Sequence, residues 1–345
     1  SLHDALPILM GIKVSTPAGY IVCFGVICGY GLGFGGAFAI QSGTNYWFRE
    51  KRALAISVTL TGSGVGGFAA GHIFGSIVAE SGSAWRTGWF VVVITCIITM
   101  AVAFLFIVNK PEDIGQIPDG KEFDASKQKT SFSKVYKQLG NVPMDVVKKD
   151  YRVWFMVFAL GALRFAYNIC VGHATIHLLD VGIAPAVATS AIGSMTLLGI
   201  IGRIGAGALG DKIEPRWIWS AGMLLTLIGL YCLWKADGAA MTYMYAAGVG
   251  IGFGLCYVAS TAMIANYYGA DAYTSIMSFG IPIQHTLGAL GPLYAGLIMD
   301  RTGSYNIAFL TGFVFLAIGF AGVLASGLPK IAEDAYAEKE NINGQ

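Results

Sequence analysis

The chain has 345 residues, of which 12% are charged and 55% hydrophobic, with 47 glycines and a formal net charge of +2. A charged fraction about half that of a soluble domain marks a membrane protein, and without a clustered basic stripe no nucleic-acid partner is expected. The sequence carries no phosphate-binding loop, metal-ligand cluster or nucleophile paired with a base, so neither enzymatic activity nor a cofactor is expected and the lipid bilayer is the first partner.

In chain order, residues 1–8, SLHDALPI, read as translated adapter sequence in a truncated reading frame, and 9–18 as the end of an apolar segment. Stretches long enough to cross a bilayer, about 20 residues at about 1.5 Å each, then run approximately over 19–47, 54–79, 88–108, 152–178, 184–208, 217–234, 241–266, 272–298 and 305–327. An all-α integral membrane protein with nine spans is therefore expected. The polar stretch 109–151 reads as a cytoplasmic linker with a surface helix near its end. Cys23, Cys28, Cys96, Cys170, Cys232 and Cys256 all lie in or beside apolar stretches without CxxC spacing and read as small core residues.

Lys and Arg set the orientation. Arg49, Lys51, Arg52, the nine basic residues from Lys110 to Arg152, Lys212, Arg216, Lys330 and Lys339 fall on one side, against Lys13, Arg86, Lys235 and Arg301 on the other. By the positive-inside rule the richer side, with the linker and the C-terminal tail, is cytoplasmic, in the inner membrane of the cell.

The stretch GYGLGFG at 29–35 returns as GVGIGFG at 248–254. As a nucleotide loop it fails, because it sits inside an apolar span with no preceding strand. Its glycines form interleaved GxxxG pairs, Gly29 with Gly33 and Gly31 with Gly35, and in the copy Gly248 with Gly252 and Gly250 with Gly254, which suit close helix packing. With a slip of two residues the repeat continues: Asn45 and Tyr46 answer to Asn266 and Tyr267, and Ser57 to Ser278. Such repeats are the trace of a transporter built from two related bundles. The offset leaves three helices of the first copy before Ser1, so about nine of twelve are expected here. The expected organisation is 1–108 as the rest of an N-terminal bundle, 109–151 as linker, 152–328 as a six-helix bundle and 329–345 as a cytoplasmic tail.

The segment GRIGAGALGDKIEPR at 202–216, with Gly207, Asp211, Lys212 and Arg216, resembles the loop motif of the major facilitator superfamily. FREKRALAIS, WRTGWF and NKPEDIGQIPDG are similar to further segments of that family. HATIHLLDVGI at 173–183, followed by a span ending in GRIGAGALGD, resembles the monocarboxylate transporters and oxalate/formate antiporters. That resemblance implies a major facilitator fold, a carboxylate bound by Arg203, and transport of a small organic anion by alternating access. The lysine that the antiporters carry in their eleventh helix is replaced here by the Gln284–His285 region, which favours a monocarboxylate such as lactate or formate over oxalate. An exporter of drugs or other hydrophobic solutes and a non-transporting receptor or scaffold are the alternatives.

Arginine in hydrocarbon costs at least about 2.5 kcal/mol, so Arg203 and Arg164 each need a partner: substrate, or neighbouring helix groups. Asn168, one turn beyond Arg164, together with Gln284, His285, Gln41 and Asn45, could line a substrate site or bond between helices. His173 and His177, with Asp180 beyond, could carry a coupling proton or serve as an interfacial cap; a counter-anion is the other coupling partner. Asp211, Lys212, Arg216, Arg49 and Arg52 are expected to meet at the cytoplasmic ends, where a carboxylate at a helix N-terminus or against a guanidinium would hold a gate shut.

Overall fold

The computed structural model describes residues 16–23, 36–49, 51–62, 65–66, 85–108, 110–120, 135–137 and 142–329. Among them all regular structure is helical. After a turn at Pro17–Tyr20 come α1 Ala37–Trp47, α2 over 52–62, α3 Trp85–Phe106, the short α4 Met144–Lys149, and six long helices: α5 Tyr151–Asp180, α6 Pro185–Gly210, α7 Pro215–Trp234, α8 Ala239–Tyr268, α9 Ala270–Thr302 and α10 Asn306–Ala325. The glycines expected to pack at 29–35 lie outside the described residues.

The chain divides into two compact units, Ser1–Trp47 with Gly62–Glu122, and Phe48–Thr61 with Phe123–Gln345. In the first, Trp47 donates its indole N–H to the Val108 carbonyl at 3.1 Å and Lys110 lies 4.9 Å from the centre of the Tyr46 ring, which holds the end of α1 beside the exit of α3. In the second, most of α2 joins the six long helices. Sequence chemistry sets their ends. Proline opens α6 and α7, where its missing N–H costs nothing. Asp150 caps α5 by accepting the Arg152 amide at 3.0 Å. Gly269, at φ 94, makes the reversal between α8 and α9 that an L side chain resists.

Five of these helices, α5, α6, α7, α8 and α10, are long and apolar enough to cross a membrane. α9 has similar length but is more polar, with Ser275, Ser278, Gln284, His285 and Thr286 along it. On α10, Leu310, Val314 and Ile318 are exposed at four-residue spacing, and on α7 Leu224, Ile228 and Tyr231 at spacings of four and three. Such apolar stripes on the outside of a bundle belong against lipid.

α8 is the centre of the unit, wedged between α6 and α7. Its glycines divide the work: Gly250 and Gly254 face α6, where a Cβ would strike the Met195 and Gly199 carbonyls, while Gly248 and Gly252 face α7 against Gly229 and Gly222. Two residues turn a helix by about 200°, so alternating glycines bare opposite sides. The partners reciprocate with Gly202, Gly222 and Gly229. A side chain at any of these positions would hold backbones apart, and in lipid, where association depends on close packing, that removes the attraction itself.

Gly250→Ala and Gly252→Ala should each destabilise the bundle by about 1–3 kcal/mol, read as a lowered thermal midpoint in detergent. Gly193→Ala, at an α6 position with nothing within 4 Å of a new Cβ, should leave the midpoint unchanged or raise it.

Candidate functional site

Two arginines occupy the interior of the second unit. Arg164 on α5 places its guanidinium carbon 5.5 Å from the centre of the Tyr257 ring on α8. Its Nε is buried with no hydrogen-bond partner. Arg203 on α6 donates from Nη1 to the Leu60 carbonyl of α2 at 3.0 Å and lies within electrostatic reach of the Tyr257 and Tyr167 hydroxyls. Tyr167 stacks on Phe253 with ring centres 4.0 Å apart, and Phe253 on Tyr257 at 5.6 Å. The result is a half-buried aromatic wall with both cations beside Tyr257. Tyr167, Phe253 and Tyr257 were missed by reading the sequence, where an aromatic at helical spacing looks like any core residue.

The two arginines are compensated unequally. Arg203 has a carbonyl; Arg164 has a ring face worth about 0.5–2 kcal/mol against a cost of at least about 2.5 kcal/mol. Of the two, Arg164 is therefore the one that the described protein groups compensate less. His285 on α9 lies within electrostatic reach of it, and Gln284, 1% exposed, points a buried Nε2 without a partner into the α5–α9 contact.

Asn168 has a different occupation. Pro292 lacks the N–H that would bond the carbonyl four residues earlier, at Gly288. Asn168 Nδ2 donates to that carbonyl at 3.0 Å. His173 donates from Nε2 to the Pro292 carbonyl at 3.0 Å, which fixes the tautomer so that Nδ1 accepts the Tyr305 hydroxyl at 3.2 Å. His177 is buried and donates to the Leu233 carbonyl at 3.1 Å, with Tyr305 and Phe309 against its ring. The two histidines thus tie α5 to α7, α9 and the start of α10, while Asp180 is exposed at the helix end. Gln41 and Asn45, in the first unit, are both buried, and neither amide atom of Asn45 has a partner.

At the linker end, Asp211 caps α2. Its Oδ1 and Oδ2 accept the Ala53 and Leu54 amides at 3.3 and 3.2 Å. A carboxylate at these unsatisfied N–H groups meets the positive end of the helix, worth about 0.3–2 kcal/mol. α2 also seats Ser57 and Ala53 against Gly207 and Gly210 of α6. Arg52 is buried and donates to Asn266 Oδ1 at 2.9 Å. Arg49 contributes its carbonyl, which takes Lys137 Nζ at 2.8 Å. Of the five expected residues, Asp211, Arg49 and Arg52 converge; Lys212 is exposed, and Arg216 lies over the Trp217 ring at 4.6 Å.

The partners sequence reading did not assign are Lys137 and the end of α8. Tyr268 donates to Asp150 at 2.7 Å, and the Tyr267 hydroxyl lies beside Glu214, whose Oε2 accepts the Tyr136 amide at 3.2 Å. Burial pushes the Glu214 carboxyl above the ordinary carboxylate range, with Tyr136, Tyr267 and Arg216 pulling partly back.

Comparison with known proteins follows the fold. A family model described as Major Facilitator Superfamily matches residues 5–292 and, in a second placement, 153–340. The hexuronate transporter of Bacillus subtilis is 25% identical over 331 residues, spanning 90% of this chain and 74% of that protein. Monocarboxylate transporter 13 of Rattus norvegicus is 24% identical over 281 residues, spanning 81% and 60%. Among solved structures, the Escherichia coli fucose:proton symporter superposes with a TM-score of 0.66 at 15% identity, over 95% of this chain and 82% of that one. That last likeness is one of fold.

Asn168→Ala should lower the thermal midpoint by the loss of one interhelical hydrogen bond in a membrane, about 0.6–1.7 kcal/mol, and should cost less in a Pro292→Ala background, where Gly288 regains its own helix partner. For Glu214, the folded carboxyl holds its proton to higher pH than the unfolded one. The folded state therefore binds more protons above pH 4.5, and stability falls as pH rises through that window. Glu214→Gln, which keeps an acceptor for Tyr136, should flatten the fall in thermal midpoint with rising pH.

Proposed function

The chain belongs to the major facilitator superfamily and is a multi-pass membrane transporter; from that premise we propose that it moves a small carboxylate-bearing anion by alternating access. One observation carries the reading: among the described residues, Arg164 stands inside a membrane helix with an aromatic face against its guanidinium and a buried Nε without an acceptor. A carboxylate supplies the missing charge and hydrogen bonds. The family motif alone favours Arg203 as the anion contact, but its bond to Leu60 makes it a brace between α6 and α2 in this conformation, available to the solute once α2 withdraws.

The polar groups of α9 support one carboxylate plus a neutral remainder: His285 brings an imidazole within electrostatic reach of Arg164, the Gln284 amide lies further along the α5–α9 contact, by Val157 and Gly280, and α9 carries no lysine for a second carboxylate. A monocarboxylate such as lactate or formate fits, and so does a larger acid with a hydroxylated body. The names of two relatives, a hexuronate and a monocarboxylate transporter, both describe carboxylates. A coupling proton, where one is used, belongs on His285 rather than on His173 or His177, whose bonds favour packing; exchange against a counter-anion is the alternative. The basic residues of the linker, with Lys330 and Lys339 of the tail, favour a cytoplasmic placement of both, and of the Asp211 gate.

In proteoliposomes, uptake of labelled lactate, formate or glucuronate should fall about tenfold or more in Arg164→Gln, as expected for a lost charge-assisted bond of about 1.5–3 kcal/mol. Uptake unchanged by that substitution would remove Arg164 from the site, and equal uptake of neutral analogues would remove the anion.

A further inference from the structure

Of the linker, residues 135–137 are held against the gate, at three successive positions. Val135 is buried; the Tyr136 amide donates to Glu214 at 3.2 Å, and its ring meets Tyr267 edge-on at 6.2 Å. Lys137 Nζ lies 3.7 Å from Asp211 Oδ1 and donates to the Arg49 carbonyl at 2.8 Å, with both ionic side chains under one-fifth exposed. Asp211 belongs to the end of α6 and Arg49 to the approach to α2. Lys137 thus grips both halves of the contact that must part for α2 to leave α6.

We propose that Lys137 is a positioning residue of the gate and that segment 135–137 is a strap through which the linker holds the Asp211–α2 contact closed. The ammonium neutralises the carboxylate that caps α2 and, through the Arg49 carbonyl, fixes the backbone that presents the capped amides. A bond to each partner stabilises the closed arrangement alone, because separation stretches one bond or the other. The ion pair is more than four-fifths shielded, so it escapes much of the screening that makes exposed pairs weak. Val135 and Tyr136 supply what a lone lysine lacks: a buried side chain and a backbone bond to Glu214 hold the two residues that precede it. The proposal rests on the alternating-access reading but on no particular solute.

Gate separation can be read without substrate. With all six native cysteines replaced by alanine, Ser57→Cys places a thiol at a position 1% exposed beneath Gly207, and its reaction with a membrane-impermeant maleimide reports departure of α2. A second chain retaining only Cys256, buried between α7 and α8, reports general loosening. Lys137→Ala should raise the labelling rate at position 57 by about three- to tenfold without raising that of Cys256, Asp211→Asn should act likewise, and Lys137→Arg should restore slow labelling. An unchanged rate at position 57 in Lys137→Ala, an equal rise at Cys256, or failure of arginine to rescue would each overturn the strap. None of these outcomes bears on Arg164, so the anion reading stands or falls separately.

Discussion

Hydrocarbon offers no hydrogen bonds, so every polar group carried into it must find its partner within the protein. Most of the distinctive contacts of this chain are answers to that demand. Pro292 takes away an N–H and Asn168 returns one to the Gly288 carbonyl; His173 bonds the proline's own carbonyl; Arg203 finds Leu60; Asp211 finds the free amides that open α2. Against that background the buried groups left unmatched are informative, Gln284 Nε2 and Arg164 Nε among them. Arg164 has an aromatic face and a buried nitrogen without an acceptor, and on the proposed reading an anion completes it.

The same solvent explains the glycines. Lipid gives helices no hydrophobic reason to associate, so their attraction comes from close contact. α8 meets that need twice, with one pair of glycines turned to α6 and another to α7. This leaves the third face, with Phe253 and Tyr257, free to build the wall beside the arginines. Packing and site are thus assigned to different sides of one helix, and a substitution on one side need not disturb the other.

Much of the fold was legible because a membrane imposes it: six long helices follow the apolar stretches between 151 and 325, and their ends fall at Asp150, Pro185, Pro215 and Gly269, residues whose chemistry stops or starts helices. The internal repeat marked Asn266 and Tyr267 as matches to Asn45 and Tyr46 but gave them no contact. The site was less legible. Arg164 and Arg203 were visible as charges in apolar spans, but their relative compensation depends on Leu60 and Tyr257, groups distant in sequence with no mark of their own. For Asn168 the sequence left solute contact and interhelical bond both open, because its partner, a carbonyl orphaned by a proline 124 residues on, is a backbone atom. Lys137 was one basic residue among many in the linker; only its placement between Asp211 and Arg49 distinguishes it.

The last turn of α8 ends in Asn266, Tyr267 and Tyr268, and each holds a different part of the chain: Arg52 at the start of α2, the Glu214 loop with Tyr136, and the Asp150 cap of α5. Three ties on consecutive residues share one rigid turn. A small rotation of that turn strains all three together, so they are kept or lost as a set, and what would otherwise be three independent latches becomes one cooperative event. A gate of the kind proposed gains from this a sharp threshold between closed and open.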